Sequence, residues 1–386
     1  MFKKKIKSFM GVVATITLVS SLILGCSSEE VTSQAEWQPI PEKTETTVEE
    51  TPVENNEPEE EGEVIPEGCY RSELTNEWID ESLKDQRPIA VMVDNEKAAL
   101  PHFGVNSCDI VYEMMNSTLN NRITRLMCIL KDYNSVEQLG SVRSTRPTNF
   151  MVMAEYDAIL CHDGGPFYNE QYYGKSYVDH LDSGFARFSN GKNVEYTEYI
   201  TNEPYTNTNK NKSYQSISER IDEAKFSVTY TSNYEGPHFE FSDEDYRLSS
   251  IVDVQNAKDI KLPFPHNSSE LKYNEETGLY EYYVYGEPHV DAVTKEVTTF
   301  KNVIIQGVSH TQLDENGYLI YNVIGSGEHG YFITNGEAVP IIWIKTTENG
   351  RTTFTNAVNG KDIVLNTGKT YIAIVPDDSW KKLTLG

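Results

Sequence analysis

The sequence predicts an α+β protein, with an N-terminal α/β layered domain built on a mixed sheet and a mainly antiparallel β C-terminal domain. Between residues 87 and 181, short apolar runs alternate with segments of helical periodicity, which is typical of strands layered with helices. From about Ser227 onward the segments are shorter, alternating and rich in Val, Ile, Tyr and Thr, with recurrent turn signals. We therefore predict domains over residues 68–226 and 227–386.

Residues 1–25 have the composition of a signal peptide. Four lysines precede an apolar stretch, Phe9 to Leu24, that is too short and too polar for a comfortable membrane span. The stretch ends on Gly25-Cys26, which resembles the lipobox of bacterial lipoproteins, whose cysteine thiol receives a diacylglyceryl group. This predicts a lipid anchor on Cys26 and a location on the extracytoplasmic face of a bacterial cell membrane. The alternative is an ordinary secretory signal.

Residues 26–67 are predicted to be the lipidated cysteine followed by a disordered acidic tether. Residues 27–67 contain fourteen Glu and one Lys, a composition that cannot bury a core. Such a coil would reach roughly 35 Å. The formal net charge of the whole chain is −26, and because the leader carries +4 and the tether −13, residues 68–386 carry −17. An acidic body disfavours nucleic-acid binding and broad adhesion to anionic lipid.

Five apolar runs predict strands in the N-terminal domain, at residues 89–93, 110–115, 124–130, 139–142 and 158–161. Pro147 suits the first turn of a helix that continues through Tyr156. A second helix is predicted over residues 168–181. In the C-terminal domain we predict seven to ten strands, and Asn335-Gly336 between apolar runs indicates a hairpin.

Several motifs occur in order along the chain, and they include Ile89-Ala90-Val91-Met92-Val93-Asp94-Asn95, Asp109-Ile110-Val111-Tyr112-Glu113, Gly140-Ser141-Val142-Arg143-Ser144-Thr145-Arg146-Pro147, His162-Asp163-Gly164-Gly165 and Pro288-His289-Val290-Asp291. Together they resemble the YerB family of lipoproteins from Gram-positive bacteria, over nearly all of residues 87–376. The resemblance implies a two-part body, each part a domain of unknown function, and supplies no established activity. Cys161 stands where the resemblance implies an ordinary apolar residue, which disfavours it as a nucleophile.

Four cysteines remain beyond Cys26, namely Cys69, Cys108, Cys128 and Cys161. Their spacing matches no compact disulfide scaffold, so we favour free thiols. The absence of a CxxC pair gives no support to a zinc site, and no metal or other cofactor is predicted. His289 and Asp291 lie two apart on a predicted strand and could share a metal, but a polar hairpin surface explains them as well.

The local motif that most clearly suggests a binding site is Arg143-Ser144-Thr145-Arg146-Pro147. A predicted helix start offers free N–H groups, and an arginine side chain can donate two parallel hydrogen bonds to a phosphate or carboxylate. The motif therefore predicts an anion site. The alternative is that the arginines pair internally with Asp94, Glu113 or Asp163.

His162-Asp163-Gly164-Gly165 follows a predicted strand, where α/β proteins collect ligand loops. Ser144 as a nucleophile with His162 as its base is an alternative, although the sequence lacks the glycine-rich turn that usually presents such a serine. We expect one cleft to gather the candidate binding residues Asp94, Glu113, Arg125, Arg143, Ser144, Arg146, His162, Asp163, Gly164 and Gly165.

The function expected from these features is binding, without catalysis, of an anionic or sugar-rich envelope component or of a partner protein. One alternative is a hydrolase or transferase that acts on cell-wall polymer through a cleft of carboxylates, histidine and arginines. Another is an assembly factor for a membrane protein complex, which would expose an apolar patch.

Overall fold

The computed structural model describes residues 65–386, so the predicted signal peptide, Cys26 and the tether up to residue 64 lie outside the described residues. Strands dominate the described chain. The first region contains β1 (Cys69–Arg71), β2 (Trp78–Asp80), β3 (Ile89–Asp94), β4 (Ile110–Met115), β5 (Thr124–Leu130), β6 (Gln138–Gly140), β7 (Ile159–His162), β8 (Asp179–Asp182), β9 (Ala186–Arg187), β10 (Glu198–Thr201), β11 (Tyr205–Asn207) and β12 (Lys212–Tyr214).

The second region contains β13 (Glu240–Phe241), β14 (Gln255–Asn256), β15 (Asp259–Lys261), β16 (Glu270–Asn274), β17 (Leu279–Val284), β18 (Glu287–Pro288), β19 (Thr299–Phe300), β20 (Asn302–Val308), β21 (His310–Gln312), β22 (Leu319–Tyr321), β23 (Gly325–Thr334), β24 (Glu337–Lys345), β25 (Thr353–Asn356), β26 (Val364–Leu365), β27 (Thr370–Pro376) and β28 (Thr384–Leu385). The α-helices found between residues 65 and 386 are α1 (Pro147–Met153), α2 (Glu170–Tyr173) and α3 (Ile217–Ala224). No helix of this described part is long and apolar enough to cross a bilayer.

The largest sheet has eleven strands in the order β14-β24-β23-β20-β27-β4-β5-β3-β7-β8, with β25 paired to β24. It is mixed, because β27 runs parallel to both β20 and β4, β7 runs parallel to β3 and β8, and the other pairs are antiparallel. Five of its strands come from the first region and six from the second. The sheet is therefore continuous through both halves of the described chain.

Each face of the large sheet carries its own buried apolar cluster, because successive side chains of a strand point to opposite faces. On β5, Met127 and Ile129 belong to one cluster, and Leu126 and Cys128 belong to the other. Side chains of α1 complete the first cluster. Side chains of α3 and of a six-stranded sheet formed by β15–β19 and β28 complete the second.

The prediction of a strand-rich body with a mixed sheet is confirmed, whereas α/β layering of the first region is not. The helices α1, α2 and α3 have only seven, four and eight residues. The predicted helix over residues 168–181 is wrong, because α2 ends at Tyr173 before Gly174 and the following segment pairs with β7 as β8. The second region has sixteen strands rather than seven to ten, because many are pairings of only two or three residues.

The predicted hairpin at Asn335-Gly336 is confirmed. These two residues join β23 to β24, and both have positive φ, 51° for Asn335 and 77° for Gly336. Two consecutive residues with positive φ match the twist of the flanking strands, which is why Asn-Gly is favoured there. Cys69, Cys108, Cys128 and Cys161 are free thiols, and the last three are buried.

Candidate functional site

Three strands of the large sheet, β3, β4 and β7, end at the same edge. Strands β3 and β4 are both antiparallel to β5, and β7 is parallel to β3, so the three run in one direction. The loops that follow them leave from this edge. In open sheets, the crevice outside the carboxyl ends of such strands is where ligands bind.

A polar cavity of about 340 Å³ opens at this edge, and we call it the arginine pocket. It is lined by side chains from five separate segments of the chain. The lining residues are Asp94, Glu96, Asn116, Ser117, Asn120, Ile123, Arg125, Arg143, Arg146, Glu195, Tyr196, Asn316 and Tyr318. Four of the ten residues predicted from the sequence are therefore in the pocket, namely Asp94, Arg125, Arg143 and Arg146.

Arg146 is positioned by the start of helix α1. Its backbone is extended, with φ −129° and ψ 161°, and Pro147 follows as the first helical residue. The backbone N–H of Arg146 donates to Oδ1 of Asn149, at 2.8 Å. The motif thus forms the helix start that the sequence predicts, and the backbone of Arg146 is fixed there.

Arg146 is nearly buried, at 7% exposure, and among residues 65–386 its guanidinium contacts only neutral groups. Its Nε donates to the carbonyl of Asn116 at 3.0 Å, and Nη1 donates to the carbonyl of Thr145 at 2.8 Å. The ring of Tyr318 lies 4.8 Å from the guanidinium carbon. Burial lowers the pKa of Arg146 to about 9, and the neighbouring Arg125 lowers it as well.

Arg125, on strand β5, is the second buried guanidinium, at 8% exposure. Its Nη1 donates to Oδ1 of Asn116 at 2.9 Å and to the carbonyl and hydroxyl oxygens of Ser144. Burial lowers the pKa of Arg125 to about 10; Asp94 opposes this shift and Arg143 adds to it. Within residues 65–386, no carboxylate lies within ion-pair distance of Arg125 or Arg146. A buried cation without a counter-ion is costly, so this geometry favours a bound anion.

Arg143 is different, because carboxylates neutralise it. Its Nε lies 2.6 Å from Oδ2 of Asp94, and its Nη2 donates to Oε2 of Glu195 at 3.3 Å. The internal pairing considered from the sequence thus holds for Arg143 with Asp94. Arg143 closes one wall of the pocket and keeps 22% of its side chain exposed.

The loop from His162 to Gly165 lies behind the arginine segment rather than in the pocket. The Asp163 N–H donates to the carbonyl of Arg143, and the Thr145 N–H donates to the carbonyl of Gly164, both at 3.1 Å. The carboxylate of Asp163 pairs with Arg187, at 3.0 Å. The loop therefore braces the segment that carries Arg143 and Arg146.

His162 is buried and directed away from Ser144. Its Nε2 lies 3.0 Å from Nδ1 of His180, and its Nδ1 lies 3.0 Å from the carbonyl of Gly164. Burial lowers the pKa of His162 to about 4, so the ring is neutral at neutral pH. Ser144 contributes its carbonyl and hydroxyl to Arg125, and the two residues do not form a nucleophile–base pair.

Glu113 lies in a separate buried cluster on the other face of the large sheet. Its Oε1 accepts from Thr124 Oγ1 at 2.6 Å and from Ser269 Oγ at 2.7 Å, and its Oε2 accepts from Tyr282 OH at 3.0 Å and from Tyr371 OH. Burial raises the pKa of Glu113, whereas these hydroxyl groups act to lower it. The predicted cleft therefore does not include this carboxylate.

His289 and Asp291 do not converge on a shared ligand position. His289 Nε2 lies 2.9 Å from Nδ1 of His102, and its Nδ1 lies 2.8 Å from Oγ1 of Thr298. Asp291 Oδ1 instead accepts from the N–H of Val293, at 2.7 Å. Asp291 Oδ2 also accepts from the N–H of Asn106, at 3.1 Å, so both buried residues attach the hairpin to the segment 102–106.

Nine of the thirteen lining residues were not predicted from the sequence, among them Asn116, Glu195, Tyr196 and Tyr318. Asn116 follows directly on β4 and could have been proposed as a strand-end residue. Tyr318 follows the turn Asp314-Glu315-Asn316-Gly317, which the sequence indicates only as a turn. No local signal reveals that this turn packs its tyrosine on Arg146.

Gly165→Ala is expected to lower the free energy of unfolding by about 1–3 kcal/mol, as overpacking of a close contact does. An added Cβ would lie 2.1 Å from Asn169 Nδ2 and 3.1 Å from the Thr145 carbonyl. Urea denaturation followed by fluorescence measures the change. Gly174→Ala is the matched control, because nothing lies within 4 Å of a Cβ there. Equal stability of the two variants would show that Gly165 is not tightly packed against Asn169 and Thr145.

The comparisons with known proteins agree with the motif resemblance. Residues 74–227 match the model described as "Protein of unknown function (DUF3048) N-terminal domain", and residues 260–372 match that of its C-terminal domain. The chain is 24% identical over 315 residues to "Putative lipoprotein YerB" of Bacillus subtilis (strain 168), covering 80% of this chain and 86% of that protein.

A crystal structure of YerB from Bacillus subtilis superposes with a TM-score of 0.65 at 21% identity. The match covers 82% of this chain and 99% of the YerB chain. The similarity establishes a shared fold.

Proposed function

The chain belongs to the DUF3048 family, with both of its domains, and from this premise we propose that it is a lipoprotein that binds an oxyanion group of a cell-envelope molecule in the arginine pocket. The proposed anchor is the lipid on Cys26, which would hold the body on the extracytoplasmic face of the membrane. The name of the B. subtilis relative and the lipobox-like end of the leader support this part of the proposal.

The observation that carries the binding proposal is the pair of buried guanidinium groups of Arg125 and Arg146. Both face a polar cavity, and their contacts within the described chain are to neutral oxygens. A phosphate or carboxylate group would supply the missing counter-charge through paired N–H···O bonds. Asn120, which also lines the cavity, offers an amide donor to the same group.

The rim of the pocket restricts the kind of anion. Asp94, Glu96 and Glu195 line the cavity, but Asp94 and Glu195 pair with Arg143 and Glu96 lies 2.9 Å from His266, so they limit the negative charge that the cavity accepts without pairing with Arg125 or Arg146. The body around it carries −17. A single oxyanion on an otherwise neutral molecule suits this arrangement better than an extended polyanion, which the surrounding carboxylates would repel.

We propose binding without turnover. Ser144, the one hydroxyl nucleophile considered from the sequence, contacts Arg125 and not His162. Glu113, one of the candidate acid–base carboxylates, lies on the opposite face of the sheet. Of the acid–base residues considered from the sequence, Glu113 and His162 thus lie outside the pocket, and Asp94 is paired with Arg143.

Calorimetric titration of residues 27–386 with glycerol phosphate tests the proposal, with glycerol as the uncharged comparison. We expect binding of glycerol phosphate only. Arg146→Gln should weaken it about tenfold to a hundredfold, since a hydrogen bond to a charged group contributes about 1.5–3 kcal/mol. Arg146→Lys should recover part of the loss, because it restores the charge without the two-pronged geometry.

Arg247→Gln is the matched control, because that arginine is exposed and pairs with Glu337 outside the pocket. Thermal melting of each variant verifies that the fold is intact. The absence of glycerol phosphate binding, or equal affinity of the parent and a folded Arg146→Gln variant, would refute the arginine pocket as an anion site.

A further inference from the structure

Three large apolar side chains are exposed on segments that form or brace the arginine pocket. They are Leu119, at 47% exposure, Phe167, at 68%, and Val194, at 63%. Single exposed apolar residues are ordinary on protein surfaces. These three lie on separate segments of the chain, and each segment either contributes residues to the pocket lining or contacts a segment that does.

Leu119 belongs to the loop between β4 and β5, between the pocket residues Ser117 and Asn120. The loop is held in place, because the N–H of Thr118 donates to the carbonyl of Gly317 at 3.0 Å. The Leu119 Cγ lies close enough to Gly317 that an added Cβ there would be only 2.7 Å away. Leu119 is therefore fixed beside the turn that carries Tyr318.

Phe167 is connected to the same turn. Its ring centroid is 4.0 Å from that of Tyr168, and the Tyr168 hydroxyl donates to the carbonyl of Leu313 at 3.2 Å. Phe167 follows the Gly164-Gly165-Pro166 loop that braces the arginine segment. Its exposed ring is thus held on a fixed piece of backbone.

Val194 immediately precedes Glu195 and Tyr196, which line the pocket. Its carbonyl accepts from Arg187 Nη1 at 2.9 Å and from Thr197 Oγ1 at 2.7 Å. The backbone is fixed by these bonds while the side chain remains exposed. The structure therefore presents apolar groups on both the Tyr196 side and the Tyr318 side of the pocket lining.

We infer that the arginine pocket takes the phosphate head group of a membrane lipid, with Leu119, Phe167 and Val194 entering the bilayer interface around it. This inference rests on the proposed function and adds the source of the oxyanion. Apolar side chains gain free energy when they leave water for the headgroup boundary, and a charged pocket beside them supplies head-group selection.

The negative charge of the body makes its binding to a membrane selective for particular lipid head groups. The body carries −17, so an anionic surface repels it as a whole. Attachment therefore requires a head group that can place its phosphate on Arg125 and Arg146. A phosphomonoester at the end of the lipid reaches a buried pair of arginines more readily than a phosphodiester covered by a further group, so phosphatidic acid is the probe of choice.

The test is co-flotation of residues 27–386, which lack the acylated cysteine, with phosphatidylcholine vesicles that contain or lack a minor fraction of phosphatidic acid. We expect flotation only with phosphatidic acid, and competition by glycerol phosphate. Phe167→Ser/Val194→Ser should weaken vesicle binding by at least about tenfold, in line with the transfer of apolar side chains, and leave the affinity for glycerol phosphate unchanged. Val358→Ser, at an exposed site away from the pocket lining, is the matched control and should have no effect.

The outcomes separate the two proposals. Glycerol phosphate binding without vesicle binding would overturn the lipid inference and leave the anion site standing. Retention on cell-wall sacculi that requires their anionic polymers, without vesicle binding, would assign the site to a wall polymer instead. A loss in Val358→Ser equal to that in the double variant would overturn the role of the three apolar groups. No binding of glycerol phosphate would overturn both proposals.

Discussion

Glu113→Ala is expected to lower the free energy of unfolding by about 4–5 kcal/mol, because several buried donors lose their acceptor at once and each unsatisfied group costs about 1–3 kcal/mol. The hydroxyls of Thr124, Ser269, Tyr282 and Tyr371 all donate to this carboxylate. They come from both sheets that pack around the second apolar cluster. Glu113 thus acts as a common acceptor that joins the two sheets.

Equilibrium unfolding in urea measures the loss. Glu113→Gln is the informative comparison, because its amide keeps one acceptor oxygen and nearly the same volume, and we expect it to lose about half as much by the same hydrogen-bond argument. Binding of glycerol phosphate should be unchanged in the folded fraction of either variant, since Glu113 is outside the arginine pocket. A loss below about 1 kcal/mol for Glu113→Ala, the net value of one ordinary hydrogen bond, would contradict the role given to this cluster.

Lys345→Met is expected to lower the free energy of unfolding by about 3–5 kcal/mol, the usual result of removing one partner of a buried ion pair. Lys345 is fully buried, and its Nζ lies 3.0 Å from Oε1 of the equally buried Glu155. The substitution leaves the Glu155 carboxylate with the N–H and hydroxyl of Thr352, at 2.9 and 3.0 Å, and with Nδ1 of His238 at 3.7 Å. Burial lowers the pKa of His238 to about 4, so these neighbours are neutral and do not balance a full charge.

The double variant Lys345→Met/Glu155→Gln provides the control for this prediction. It removes both charges and keeps an amide oxygen for the N–H of Thr352, so urea unfolding should show recovery of at least half of the stability lost in the single variant. If the double variant is as unstable as Lys345→Met, the loss comes from packing around Lys345 and not from the uncompensated carboxylate.

Much of the central sheet could be predicted because its strands are buried on both faces. Such strands are continuous apolar runs, as β3, β4 and β5 are, and Asn335-Gly336 has a conformational preference that acts locally. The position of β27 between β4 and β20 could not be predicted in this way. Strand β27 pairs in parallel with β20, more than sixty residues earlier, and with β4, more than two hundred residues earlier, and no local pattern encodes such distant pairings.

Pocket residues that belong to one local motif could be predicted from the sequence. Pocket residues that only folding brings to the site could not. Arg143 and Arg146 stand out in a helix-start motif, whereas Tyr318 reaches Arg146 only through a distant turn. The cross-strand register explains why Glu113 lies outside the pocket, although we predicted it there. Leu126 lies opposite Glu113, and Arg125 lies opposite Met114, so Glu113 and Arg125 point to opposite faces of the sheet. A sequence alone does not give this register.

The insertion of β27 between β4 and β20 has a consequence for how the protein folds. Strand β4 precedes β27 by more than two hundred residues, so the edges of β4 and β20 that later receive β27 remain open until residues 370–376 are available. Parallel pairings between such distant segments also form slowly. The central sheet therefore cannot close before β27 docks, and until then the chain exposes two unpaired strand edges.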